Sequence, residues 1–249
     1  MEESPHALLL KFPGTNADEE TARALETVGF RTSLLPTELL EPASLEGVSL
    51  VVFSGGFSYG DYVMSGRFAK LRIMQKLGTA LEDYLAKGGY ALGICNGFQI
   101  LTQLGLLPEG SLVDNVSGRF QCQWAGLKVT APDSFYLQGI PSEFELPIAH
   151  AEGRFVAPEG KAAEYLAKGL VTLQYVEDVN GAHERIAGIQ DETGRVFGLM
   201  PHPERFLTQT QHYDRDWSHH HGDAEWGWGY HFFKSIHDQI AGKVAPANA

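Results

Sequence analysis

Over its first hundred residues the chain alternates short, wholly apolar runs with longer stretches that are apolar on one side only. Ala7 to Phe12 (ALLLKF) reads as a buried strand, and the breaker Pro13-Gly14-Thr15-Asn16 follows it. A helix is predicted from about Asp18 to Val28, with Ala22, Leu25 and Val28 on its apolar face and Gly29 as its stop. Phe30 to Leu35 and Val48 to Phe53 read as the second and third strands, the latter running into Ser54-Gly55-Gly56. One long amphipathic helix is expected over roughly 68–86, ended by Gly88-Gly89, and Tyr90 to Ile94 is the fourth strand. Strand and helix in strict alternation predict an α/β fold with a doubly wound, mostly parallel sheet flanked by helices.

Beyond Gly105 the pattern changes to strands separated by turns, at about 119–129, 144–149, 169–176, 186–190 and 195–200, with few helical stretches. This predicts an antiparallel extension of the sheet. A last helix is expected over about 226–240, with residues 241–249 as a frayed tail. Neither an internal repeat nor a low-complexity linker interrupts the 249 residues, so a single domain over 1–249 is the expectation.

Composition narrows the functional classes. No apolar run approaches the roughly 18 residues of a membrane span, and MEESPHALLL has no basic residue ahead of its short apolar run, so neither a membrane protein nor a secretory leader is expected. The net charge of −12 without a local basic patch argues against nucleic acid. Two cysteines, Cys95 and Cys122, are too few for a disulfide framework and fit a cytoplasmic protein.

Cys95 stands where the fourth strand meets a helix, which is where open α/β sheets place ligands. Gly93-Ile-Cys95-Asn-Gly97 has the Gly-x-nucleophile-x-Gly form of a nucleophile elbow, with glycines where a Cβ would crowd the turn. Phe98, Leu101 and Leu104 give the following helix its buried face, and that helix's N-terminal amides favour a thiolate. Taken alone, Cys95 reads equally well as a small buried hydrophobe. A partner shifts the balance: Pro201-His202-Pro203-Glu204-Arg205 follows another strand, and two-residue spacing in extended chain lets Glu204 lie beside His202 and orient it. Cys95, His202 and Glu204 thus read as nucleophile, base and orienting carboxylate.

GICNGFQI, with PHPER about a hundred residues later, resembles the class I glutamine amidotransferases. PGTN at 13–16, SGGFSYGDY at 54–62 and HAEGRF at 150–155 narrow the resemblance to the glutaminase subunits of phosphoribosylformylglycinamidine synthases, over about residues 7–240. The resemblance implies a flavodoxin-like fold and hydrolysis of L-glutamine to glutamate and ammonia through a cysteinyl thioester. It also implies delivery of that ammonia to a separate large synthetase subunit, with a small bridging subunit in the same enzyme. ATP and magnesium are expected in the partner synthetase, and no cofactor or metal in this chain, which has no phosphate-cradling GxxxxGK[ST] loop.

Under the resemblance, Gly56, Phe57 and Asn96 supply the oxyanion hole, and Gln99, Asn115, Ser117, Arg119 and Phe120 contact or cover the glutamine. Tyr59, Asp61 and Arg67 belong to the glutamine pocket, to a partner interface or to a structural loop. His150 ranks second as base, and with Glu152 and Arg154 it is expected in the pocket wall or an interface. Ala17 stands where relatives often have a cysteine, a neutral change for the triad. The run His219-His220-His221 with Asp223, near His212 and His231, lacks metal-ligand spacing and reads as a solvated or partner-facing insertion. Two rivals stay open: the glutaminase of another synthetase, and a catalytically silent scaffold.

Overall fold

The computed structural model describes residues 4–58, 65–217 and 225–242. Its first strand is β1 (His6–Lys11), whose four inner residues are all buried, so it needs a neighbour on each side and helices on both faces. It pairs in parallel with β2 (Arg31–Pro36) and with β3 (Leu50–Phe53). β4 (Tyr90–Ile94) then adds in parallel beside β3. Because the chain crosses to β2 on one side of β1 and to β3 on the other, a crevice opens between the carboxyl ends of β1 and β3. Thr15, just beyond β1, bridges Gly56, just beyond β3, at that crevice.

The rest of the chain supplies β5 (Ser111–Val113), β6 (Gln121–Val129), β7 (Glu143–His150), β8 (Arg154–Val156), β9 (Val171–Tyr175), β10 (Ile186–Gln190) and β11 (Val196–Leu199). Nine strands form one mixed sheet in the order β2-β1-β3-β4-β11-β10-β9-β6-β7. From β11 to β7 every neighbouring pair is antiparallel, which is the expected extension. β11 itself, expected within that extension, pairs in parallel with β4 and so belongs equally to the parallel half. β5 and β8, three residues each, form a separate antiparallel pair that the sequence pattern did not signal.

The helices are α1 (Asp18–Val28), α2 (Ser65–Leu77), α3 (Ala80–Ala86), α4 (Asn96–Leu104), α5 (Lys161–Ala167) and α6 (Trp228–Ile240). The single helix expected over 68–86 is therefore two. Gly78 takes φ of +55°, a left-handed value that ends α2 before α3 can continue it. α5 was also missed, in a stretch read as turns and strands. α6 begins at Trp228 because Trp226 is held in a bridge to Thr208. Residues 243–249 of the expected frayed tail lie outside the described residues. Among the described residues, no helix is long and apolar enough to cross a membrane.

Candidate active site

Cys95 occupies the sharp turn between β4 and α4 with φ of +52° and ψ of −107°, a conformation that costs a non-glycine residue about 1–3 kcal/mol. Its neighbours make the turn possible. A Cβ on Gly97 would sit 1.8 Å from the Phe53 carbonyl oxygen, and one on Gly93 would sit 2.6 Å from that of Gly97, so both glycines let α4 lie directly on the sheet. The Cys95 amide continues the parallel ladder by donating to Leu199 O at 2.8 Å. The thiol is buried and donates to Ala149 O at 3.8 Å, which places the end of β7 over it.

His202 follows β11, and its amide donates to Pro147 O at 2.8 Å, tying the turn to β7 as well. Its Nδ1–H donates to Glu204 Oε1 at 2.6 Å, with both side chains buried. Nε2 makes no formed hydrogen bond, yet it lies close enough to Cys95 for that residue to act on its charge. Burial works against the charged ring, but the Glu204 carboxylate and then Cys95 outweigh it and raise the His202 pKa to about 10. A Cβ on Gly55 would come within 2.9 Å of the His202 ring, so the turn after β3 needs glycine to admit the imidazole. Arg205 Nε reaches Glu20 Oε2 at 3.2 Å and stands 4.0 Å from Glu204 Oε1, fixing the outer end of the same turn.

The predicted oxyanion donors divide. Among the described residues no hydrogen bond engages the amide of Gly56 or of Asn96, whereas the Phe57 amide donates to Gly14 O at 3.0 Å and is already committed. Gly56 is locked against the Pro13–Asn16 turn, since a Cβ there would lie 2.7 Å from Asn16 N. Asn96 Oδ1 accepts from Ser58 N at 3.4 Å, joining the elbow to this turn.

The predicted glutamine contacts divide too. Gln99 accepts from Asn96 Nδ2 at 2.7 Å and donates to Glu152 O at 2.8 Å, so it braces the elbow against the turn after β7. Asn115 is buried and fully used: Nδ2 donates to Arg119 O and His150 O, while Oδ1 accepts from His150 Nδ1 at 3.0 Å and from Gly153 N at 3.3 Å. Ser117, Arg119 and Phe120 are exposed, and among the described residues no hydrogen bond or ion pair runs from them to Cys95 or His202.

His150 is a buried imidazole paired with an amide, where His202 is paired with a carboxylate. The carbonyls that accept from Asn115 Nδ2 fix its Oδ1 as the acceptor, so His150 Nδ1 carries the proton and Nε2 is left as an unpartnered acceptor. Burial first and repulsion by His202 second lower its pKa to about 4. Tyr175, on β9, was not singled out in the sequence. Its buried hydroxyl has no partner, and burial followed by the influence of Cys95 pushes the phenol far above its ordinary value. Nothing in VTLQY distinguishes it from a core residue. Ser54 and Ser58, with buried unpartnered hydroxyls beside the same crevice, were signalled only by position at a strand's carboxyl end.

Tyr59 and Asp61, the Arg67 side chain, and His219 to His221 with Asp223 lie outside the described residues. His212 is buried, with Nε2 2.9 Å from Glu145 Oε1 and its ring against Trp124 and Phe206, as a satisfied core histidine would be.

Residues 4–238 match the family of CobB/CobQ-like glutamine amidotransferase domains. The phosphoribosylformylglycinamidine synthase subunit PurQ of Thermotoga maritima is 40% identical over 207 residues, 82% of this chain and 90% of that protein. The PurQ subunit from Synechococcus sp. (strain JA-3-3Ab) is 42% identical over 202 residues, 79% and 86% of the two chains. A chain in the solved structure of PurLQS from Thermotoga maritima superposes with a TM-score of 0.75 at 36% identity, covering 94% of this chain and 98% of that one. Another glutamine amidotransferase from Thermotoga maritima shares the fold, at a TM-score of 0.56 and 17% identity over 96% and 99% of the chains.

Proposed function

This chain belongs to the family of CobB/CobQ-like glutamine amidotransferase domains, and from that we propose that it is the glutaminase subunit of a phosphoribosylformylglycinamidine synthase. It hydrolyses L-glutamine to glutamate and ammonia and passes the ammonia to a large synthetase subunit, with a small subunit bridging the two. ATP and magnesium act in that partner, and the reaction assigned to this chain requires no cofactor. The two free cysteines suit a reducing compartment, the cytoplasm.

The observation that carries the reading is the 2.6 Å Nδ1–Oε1 contact of His202 with Glu204, beside a cysteine held at positive φ on the end of a central strand. In the proposed mechanism the Cys95 sulfur attacks the side-chain amide carbon of glutamine while His202 holds the thiol proton. The tetrahedral oxyanion takes hydrogen bonds from the unengaged Gly56 and Asn96 amides. His202 then protonates the departing nitrogen, ammonia leaves, and the thioester remains. Water, deprotonated by His202, attacks the same carbon, and collapse restores the thiol and releases glutamate. Glu204 keeps the imidazole in the tautomer that presents Nε2 to the sulfur and stabilises its charged form.

Glutamate release from glutamine by the wild type and by Cys95→Ser, each alone and with the synthetase subunits, ATP and formylglycinamide ribonucleotide, tests the reading. The wild type is expected to be slow alone and fast in the mixture, and the variant to be inactive in both while still assembling. Release that is indifferent to the partners would remove the purine assignment, and no release from any mixture would leave a silent scaffold.

A further inference from the structure

α2 is apolar on two opposite sides. At about 3.6 residues per turn, Ala69, Ile73 and Leu77 fall on one side and are buried in the fold. Phe68, Leu71 and Met74 fall on the other and are 53%, 64% and 54% exposed. Leu39, 66% exposed, stands in a segment that also packs on α2, where Lys76 Nζ donates to Glu38 O. A helix that already buries one apolar side in the fold has no need of a second, and exposed apolar groups in a row mark interaction surfaces.

The charge beside the stripe narrows what can cover it. The thirteen residues of α2 include Arg67, Lys70, Arg72 and Lys76 and no acidic residue, in a chain of net charge −12. Lys70 lies on one flank of the stripe, and Arg72 and Lys76 lie on the other. None of these three lysine and arginine side chains is in an ion pair among the described residues. An anionic lipid surface would attract these cations but repel the chain as a whole. A two-fold pairing of this face with its copy would set like charges opposite one another.

We propose that the exposed face of α2 is the docking surface for the synthetase subunit, which meets it with an apolar centre rimmed by aspartate and glutamate. The inference rests on the function proposed above. α2 packs on α4, the helix that begins next to Cys95, so a partner seated here stands one helix away from the elbow.

The test is association of the full chain with its cognate large and small subunits, followed by sedimentation velocity and by glutamine-dependent synthesis, using Leu71→Asp/Met74→Asp and, separately, Lys70→Glu/Arg72→Glu. All four side chains face solvent wholly or in part, so both variants are expected to keep the wild-type melting temperature. The expected result is at least a tenfold rise in Kd for each variant, with synthesis from free ammonium by the synthetase unchanged. Wild-type affinity in both variants, or loss of self-association or of binding to phosphatidylserine vesicles in place of subunit binding, would overturn the docking surface while leaving the function intact. If the wild type itself neither binds nor responds to the subunits, the proposed function falls and the docking surface falls with it.

Discussion

Two buried histidines close enough to repel one another hold opposite charge preferences: a carboxylate overrides burial at His202, whereas at His150 burial first and His202 second disfavour the charge. His202 faces a carboxylate and is raised to about 10, while His150 faces an amide and is lowered to about 4. The folded state therefore binds the His202 proton more tightly than the unfolded chain does. Its contribution to stability is full below about pH 6.5 and is lost as pH rises through about 10. His150 has the reverse sign: its contribution is full above about pH 6.5 and is lost as pH falls through about 4, at most about 3 kcal/mol. Denaturant unfolding at pH 7.5 and 5.0 should show the wild type weakened at the lower pH and His150→Gln, which cannot titrate, weakened less. An equal acid loss in both would place the acid sensitivity elsewhere. For Glu204→Gln, kcat for glutamine hydrolysis is expected to fall on the order of 100-fold or more without vanishing, because the group orients and does not react. Tyr175→Phe removes a buried hydroxyl that has no partner and should raise the melting temperature, the gain being on the order of 1 kcal/mol. Of these residues Cys95, His202 and Glu204 were legible in the sequence through their spacing. Asn115 and Gln99 were legible as neighbours of the site, but their amides are consumed in bracing it, which only three-dimensional proximity reveals.

At the scale of elements, the elbow is a close contact between α4 and three strands. Gly97→Ala would drive a methyl into the Phe53 carbonyl, and a loss of about 3 kcal/mol or more in unfolding free energy is expected, with Cys95 displaced. Gly78→Asn, at a left-handed position with nothing within 4 Å of the added Cβ, should cost under about 1 kcal/mol. If Gly97→Ala proved as mild as Gly78→Asn, the tight packing of α4 would not be what shapes the turn. The strands of the parallel half were readable because each is a short, continuous apolar run. The break between α2 and α3 was not, because Ile73 and Leu77 continue in helical phase into Leu81 and only the backbone angle at Gly78 interrupts them. β5 and β8 are too short to show any period, and they exist because they pair with each other.

For the whole molecule, alternation predicted the doubly wound half and turn spacing predicted the extension, but not that the extension folds its last strand back over the elbow. Pro147 O and Ala149 O, both on β7, receive His202 N–H and the Cys95 thiol, so the outermost strand of the sheet closes the site formed at its centre. The order of strands adds a constraint of another kind. β11 lies in the middle of the sheet, between β4 and β10, yet it is the last strand to be synthesised. A nascent chain that has emerged only as far as Gln190 holds two half-sheets with facing unpaired edges, and the sheet is completed late through contacts of long sequence separation. Cys95, the proposed nucleophile, leaves the ribosome about a hundred residues before His202, its proposed base, so prematurely terminated chains carry the thiol without the partner it would need to spend glutamine.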